Sequence, residues 1–228
     1  MAIPINEDPY TRARPKLTAF ESIAEESRPL IVPRPASLDW LCVQTRFNRK
    51  ELRRLYRFFK TLCPYGVLTE DDFKTIYAGI FPKGDSADYA HFVFQAFDLN
   101  RDTFICFEDI AEAYSILTRG THAEKLNWLF NFYDVSRSGR IGRMELLSVV
   151  KSFYALFDQN NFSPAKPQTI FDHVIEIFES MTRPGEHHLS KARFTSYCLR
   201  NPIILESLSG VFSPAMIQPL CTPLEMKF

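Results

Sequence analysis

The chain reads as an all-α protein assembled from four copies of one helix–loop–helix unit, and three observations predict this. A pair of large apolar residues three apart recurs as Phe94/Phe97, Phe130/Tyr133 and Phe178/Met181; eight residues after each pair stands Ile105, Ile141 or Leu189, and five further on Ile110, Leu146 or Phe194. A shifted fourth copy lies upstream, where Leu68 precedes Phe73 by five and follows Phe59 by nine. The 228 residues include 21 Phe but only 8 Gly, which favours an aromatic-packed helical interior over turn-rich β structure. Two spacings held across several segments predict paired units whose loops meet through short antiparallel bridges at Leu68, Ile105, Ile141 and Leu189.

Taken in order, residues 1–40 hold six of the fifteen prolines and read as a Pro-rich arm suited to disorder. Thr18 and Glu21 within it resemble a capping box for one helical turn. Asn48 with Glu51 predicts the start of a helix over Arg49–Thr61, which Cys63-Pro64 ends. Phe73, Ile76, Tyr77 and Ile80 fall on one helical face, and Phe81-Pro82-Lys83-Gly84-Asp85 breaks that helix. The spacing divides the chain into a first lobe at 41–120, a second at 121–204, and a helix or tail at 205–228. Asp158–Gln168, with Pro164 and Pro167, reads as a loop inserted before the fourth unit, and Ile203–Phe212 suits a C-terminal helix.

The third loop, Asp134–Glu145, carries the strongest chemical signal. Counted as a twelve-residue calcium loop, it places Asp134, Ser136, Ser138 and Glu145 at positions one, three, five and twelve. The main-chain carbonyl of Arg140 stands at seven, Gly139 at six and Ile141 at eight. Two carboxylates face Arg137, Arg140 and Arg143, and hydroxyls are weaker calcium ligands than carboxylates, so the reading is one weak calcium site or a loop kept for its fold. The second loop, Asp98–Asp109, offers Asp98, Asn100, Asp102, the Phe104 carbonyl and Asp109. Thr103 at six resists a positive φ, and Asp109 is one methylene too short for bidentate reach; this loop is expected to be empty or to hold magnesium. The first loop puts Cys63, Pro64 and Tyr65 where ligands belong and is expected to be empty. The fourth, Thr182–Arg193, has Pro184 at three, His187 at six and a cation at twelve, which excludes a dication; His187-His188 reads as a solvated pair.

Other chemistry is missing. No Gly-rich phosphate loop, nucleophile elbow or His-x-x-x-His helix points to an enzyme. Lys plus Arg and Asp plus Glu both total 27, and the basic run Arg46–Arg57 is interleaved with Glu51 and apolar residues, so no nucleic-acid partner is expected. Five scattered cysteines suit reduced thiols. There is no signal sequence and no membrane-span length run. Ala2 stands where an N-terminal myristoylation signal needs glycine, so no direct membrane anchor is expected. Leu55 and Phe59, with Phe73, Ile76, Tyr77 and Ile80, would converge on one face, either as ordinary core or as an apolar groove for a partner helix.

Gln44-Thr-Arg-Phe47, Cys63-Pro64, Phe81-Pro-x-Gly-Asp85, Tyr89-Ala-His-Phe92, Phe107-Glu-Asp109 and Arg119-Gly-Thr121 stand in an order that resembles the neuronal calcium sensor family. Within it the chain is most similar to the potassium (Kv) channel-interacting branch. The likeness is close over about Leu41–Leu156 and weaker to about Leu205. It implies a two-lobed EF-hand superfold of the calmodulin and recoverin type. It also implies a non-enzymatic calcium-sensor protein that clamps the cytoplasmic N-terminal segment of a Shal-type voltage-gated potassium channel. Such a protein is cytoplasmic and peripheral to the plasma membrane through the channel complex. Family members usually use the third and fourth calcium loops; here the fourth departs from the pattern. Regulation of a receptor kinase or cyclase, or a calcium-independent EF-hand adaptor, are the alternatives.

Overall fold

Most helices begin where local side-chain chemistry satisfies their free amides. A computed structural model describes residues 36–98, 100–157, 167–203 and 205–206. The Thr18 turn, most of the Asp158–Gln168 stretch and the tail beyond Glu206 lie outside the described residues. In chain order the elements are α1 (Leu38–Gln44), α2 (Arg49–Leu62), β1 (Val67–Leu68), α3 (Glu70–Ile80), α4 (Ala87–Phe97), β2 (Ile105–Cys106) and α5 (Phe107–Arg119). There follow α6 (His122–Tyr133), β3 (Arg140–Gly142), α7 (Arg143–Ala155), α8 (Pro167–Met181), β4 (His188–Ser190) and α9 (Lys191–Arg200). Asn48, Thr69 and Thr121 close capping boxes with Glu51, Asp72 and Glu124 on α2, α3 and α6.

The described residues are thus mainly helical, with two short antiparallel strand pairs. β1 meets β2 in the register Leu68↔Ile105, and β3 meets β4 in the register Ile141↔Leu189. These are the four apolar residues that the repeat spacing singles out. All four are at most 1 % exposed, as are Phe73, Ile110, Leu146 and Phe194 five residues on. Burying one such large side chain contributes about 1.5–3 kcal/mol, so the spacing is held by core packing.

Two details differ from the sequence expectation. α1 has no counterpart in it; Ser37 caps this helix by accepting from the Trp40 amide at 3.2 Å, and Leu41 anchors it in the core. Pro167 and Gln168 belong to α8 and not to the loop before it. A proline opening a helix loses nothing, because its missing N–H would have no partner there.

The helices meet along an aromatic seam. Phe73 contacts Tyr77, Phe94 and Phe97, and Tyr77 contacts Phe81 and Tyr89. Phe81 reaches Phe157, and Tyr89 reaches both Phe132 and Phe153. α4 packs on α3 as well as on α6 and α7, so it joins the first and second strand-paired halves. Gly84 explains its own place in the Phe-Pro-x-Gly-Asp turn: an added Cβ would fall 2.1 Å from the Leu156 carbonyl oxygen. Beside it the Asp85 amide donates to the Ala155 carbonyl at 2.8 Å. That turn is stitched to the end of α7.

Polar ties reinforce the seam at the rim. Arg119 donates to the Arg46 carbonyl and to both Glu51 oxygens, and its guanidinium lies 4.5 Å from the Phe47 ring centre. Arg46 makes a two-pronged bond to Glu124 at 2.7 and 2.8 Å. This arginine, with the Thr121 cap, lowers the Glu124 carboxyl to about 2. A depressed acid adds stability above its unfolded value, and the contribution is lost as pH falls through the folded one. Glu124→Gln should therefore flatten the fall in melting temperature between roughly pH 4.5 and pH 2, which a set of thermal melts across that range would measure.

Candidate ion loops

Each of the four loops must satisfy backbone amides that turn inward, and the residue at position twelve takes a different part in this from loop to loop. In loop three Glu145 spans the loop: one oxygen accepts from the Gly142 amide at 2.6 Å, the other from the Ser136 amide at 2.9 Å. In loop two Asp109 uses a single oxygen for the Cys106 amide and thiol, both at 2.8 Å. The missing methylene keeps it at the start of α5. Burial among acidic neighbours raises the Asp109 carboxyl, and burial beside Asp109 pushes the Cys106 thiol up. In loop one Asp72 likewise accepts from the Thr69 amide and hydroxyl.

Loop four holds the feature that sequence reasoning missed. Arg193 turns its guanidinium into the loop, donating to the Met181 carbonyl at 2.8 Å and to Glu186 at 3.2 Å. Glu186 also accepts from the Arg183 amide at 2.9 Å. A side-chain cation stands among the loop's own oxygens. The sequence signal was a carboxylate at position five facing an arginine at twelve. His187 and His188 are exposed, as expected.

Position one is equivalent in loops two and three. Asp98 accepts from the Asp102 and Thr103 amides at 3.1 and 3.2 Å, and Asp134 from the Ser138 and Gly139 amides at 2.9 and 2.8 Å. Position four is left-handed in loops two, three and four, at Arg101, Arg137 and Gly185. Position six is left-handed at Gly139, φ +77°, and also at Thr103, φ +68°. The fold therefore imposes on a β-branched threonine the conformation it resists, at a cost of about 1–2 kcal/mol.

Loop three brings several oxygens close together. Ser138 Oγ lies 3.0 Å from the Arg140 carbonyl oxygen and 3.4 Å from Asp134 Oδ1. Both separations are hydrogen-bond contacts of the Ser138 hydroxyl. The arginines are less adverse than their number suggests. Arg143 pairs with Glu179 at 3.2 Å, and Arg137 donates to the Gln95 and Asp98 carbonyls at the end of α4. Burial and the like charge of Arg101 lower the Arg137 pKa. In loop two Asp102 caps the Phe104 amide and accepts from Asn100, so its oxygens serve the loop itself, as those of Asp134 and Glu145 do in loop three. Among the described residues no three Asp, Glu, His or Cys side chains gather in a metal-holding group.

The apolar candidates lie inside. Leu55, Phe59, Phe73, Ile76 and Tyr77 are each at most 8 % exposed, while Ile80 is half-buried. Phe59 meets Phe107 of α5, and Phe73 meets Phe94 and Phe97 of α4. The expected convergence is present, but on helices of the same chain: of the two readings, these residues are core here, and only Ile80 reaches the surface. No helix among the described residues is long and apolar enough to cross a membrane. No protein-family model matches the chain.

Thr103→Gly should raise the urea midpoint by on the order of 1 kcal/mol of stability, whereas Gly139→Ala should lower it by a similar amount. Nothing lies within 4 Å of a Cβ added at Gly139, so the second loss is purely conformational. Arg193→Met removes the built-in cation and leaves Glu186 and the Met181 carbonyl without it; urea unfolding should report a loss of about 1–2 kcal/mol.

Proposed function

We propose that this chain is a regulatory binding protein of the EF-hand type, built as two lobes of paired hands, with no catalytic role. Its target on this reading is an apolar helical segment at the cytoplasmic N terminus of a Shal-type potassium channel. The observation that carries the reading is the oxygen cluster of loop three set on a strand-paired helix–loop–helix scaffold. The ordered motifs from Gln44 to Thr121 add the resemblance to channel-interacting sensors. Asp134, Ser136, Ser138, the Arg140 carbonyl and Glu145 would hold a calcium ion, whose positive charge would draw these oxygens together. Asp98, Asn100, Asp102, the Phe104 carbonyl and Asp109 would at most hold magnesium. The channel segment would enter along the aromatic seam, beginning at Ile80, with Leu55, Phe59, Phe73, Ile76 and Tyr77 beneath it.

A second reading, an adaptor that works without calcium, draws support from loops one, two and four. Their position-twelve residues are engaged by the protein, as Glu145 is in loop three, so each unit is closed by its own side chains. On either reading the protein acts through contact with its target at the cytoplasmic side of the membrane.

Calorimetry and peptide binding separate the readings. Calcium should give saturable heat with the wild type and none with Glu145→Gln; heat that persists in that variant would remove loop three as the site. A fluorescent Shal N-terminal peptide should bind the full chain, and Ile80→Asp, at a half-buried position that leaves the core intact, should weaken it at least tenfold. Binding only in calcium supports the sensor, and equal binding in chelator supports the adaptor. A peptide that binds neither way contradicts the channel reading.

A further inference from the structure

Beside loops two and three lies an open cavity whose basic side chains the proposed function does not use. Its volume is about 310 Å³, and its walls include Gln95, Arg101, Asn131, Asp134, Arg137 and Lys191. The whole chain carries a formal charge of zero, yet three cations and one carboxylate share this wall. The imbalance is therefore local. It is also built by equivalence: Arg101 and Arg137 hold position four of consecutive loops and share the left-handed backbone, at φ 61° and 51°.

The partners of these groups show what is left over. Both Asp134 oxygens accept from backbone amides of its own loop, and its charge offsets part of that of Arg137. Arg137 commits one nitrogen, Nη2, to the Gln95 and Asp98 carbonyls, and the rest of its fork makes no hydrogen bond among the described residues. Arg101 makes no hydrogen bond or ion pair among the described residues, and it stands close enough to Arg137 to oppose that residue's charge. Lys191 faces the Phe130 ring at 5.7 Å and has no carboxylate in ion-pair range among the described residues. Three cations beside a single carboxylate leave this wall with net positive charge, and an anion placed among them would be attracted.

We propose that this cavity is an anion site for a phosphorylated polyol, held by Arg101, Arg137 and Lys191. Planar guanidinium forks match the geometry of phosphate oxygens, and a compact ammonium adds a point charge. The volume lies at the small end of the roughly 300–1,000 Å³ typical of small-molecule sites, large enough for a phosphate with the ring that bears it. The Asn131 amide, which has no hydrogen bond among the described residues, offers a donor to a ring hydroxyl. A free inositol phosphate and a phosphoinositide headgroup share this chemistry. The site does not rest on the calcium or channel reading, so it is tested with chelator present and no channel peptide.

The probe is inositol 1,4,5-trisphosphate, titrated calorimetrically into the full chain at low and at physiological salt. Wild type should bind one equivalent, more weakly at higher salt. Arg101→Asn, which tolerates the left-handed backbone, and Lys191→Gln should each weaken binding at least tenfold, while Arg200→Gln, on the exposed end of α9, should leave it unchanged. Thermal melts without ligand establish that the variants are folded. Phosphatidylcholine vesicles with and without phosphatidylinositol bisphosphate then identify the source: capture that needs the headgroup and is lost in Arg101→Asn assigns the lipid, and soluble binding alone assigns the free phosphate. No saturable binding to either probe, or binding that Arg101→Asn and Lys191→Gln retain, overturns the proposal.

Discussion

The antiparallel contact between position-eight residues, Leu68 with Ile105 and Ile141 with Leu189, is the constraint on which the rest of the structure depends. It sets two loops side by side and so fixes where the helices on either flank emerge. The large apolar residues eight or nine before and five after each contact residue are then brought into the interior. Because the contact is made by backbone and apolar side chains, it makes no demand for a metal ion. The demand is on the loops, whose inward amides need acceptors wherever the contact is kept.

Three arrangements of the position-twelve side chain account for the divergence of the loops. Asp72 and Asp109 satisfy the start of the following helix. Glu145, one methylene longer, satisfies the helix start and also crosses to Ser136. Arg193 abandons the helix start and places its own charge inside the loop. Hydrogen bonds to charged groups contribute about 1.5–3 kcal/mol each, comparable with burying a core side chain, so such substitutions are enough to keep a loop closed. On the proposed reading, ion binding and scaffold stability have become separable, and loop three is where they still meet.

Much of this was legible in the sequence because the fold follows periodic constraints. The spacing from Phe97 to Ile105 to Ile110 names both bridge residues and core residues, and Asn48 with Glu51 names a helix start. Gly139 and Thr103 both stand where the loop pattern asks for a positive φ. What the spacing could not show was tertiary choice. Whether Phe73 and Tyr77 meet a partner or α4 depends on what packs beside them, and one face of a helix looks the same either way. In the sequence Arg193 is a charge that repels a dication, which is true, but its length also lets it occupy the loop. By number alone Arg137 is a burden on loop three, yet its acceptors are the carbonyls at the end of α4. Long, flexible side chains are where pattern reading fails, because their destination is set by acceptors far along the chain.

Native-state hydrogen exchange in chelator tests the central claim most directly. If backbone pairing and side-chain closure hold the loops, amides in β1–β2 and β3–β4 will exchange only through global unfolding, and calcium will change protection in loop three alone. Rapid exchange in both strand pairs until calcium is added would mean that the ion, and not the position-eight contact, organises the fold.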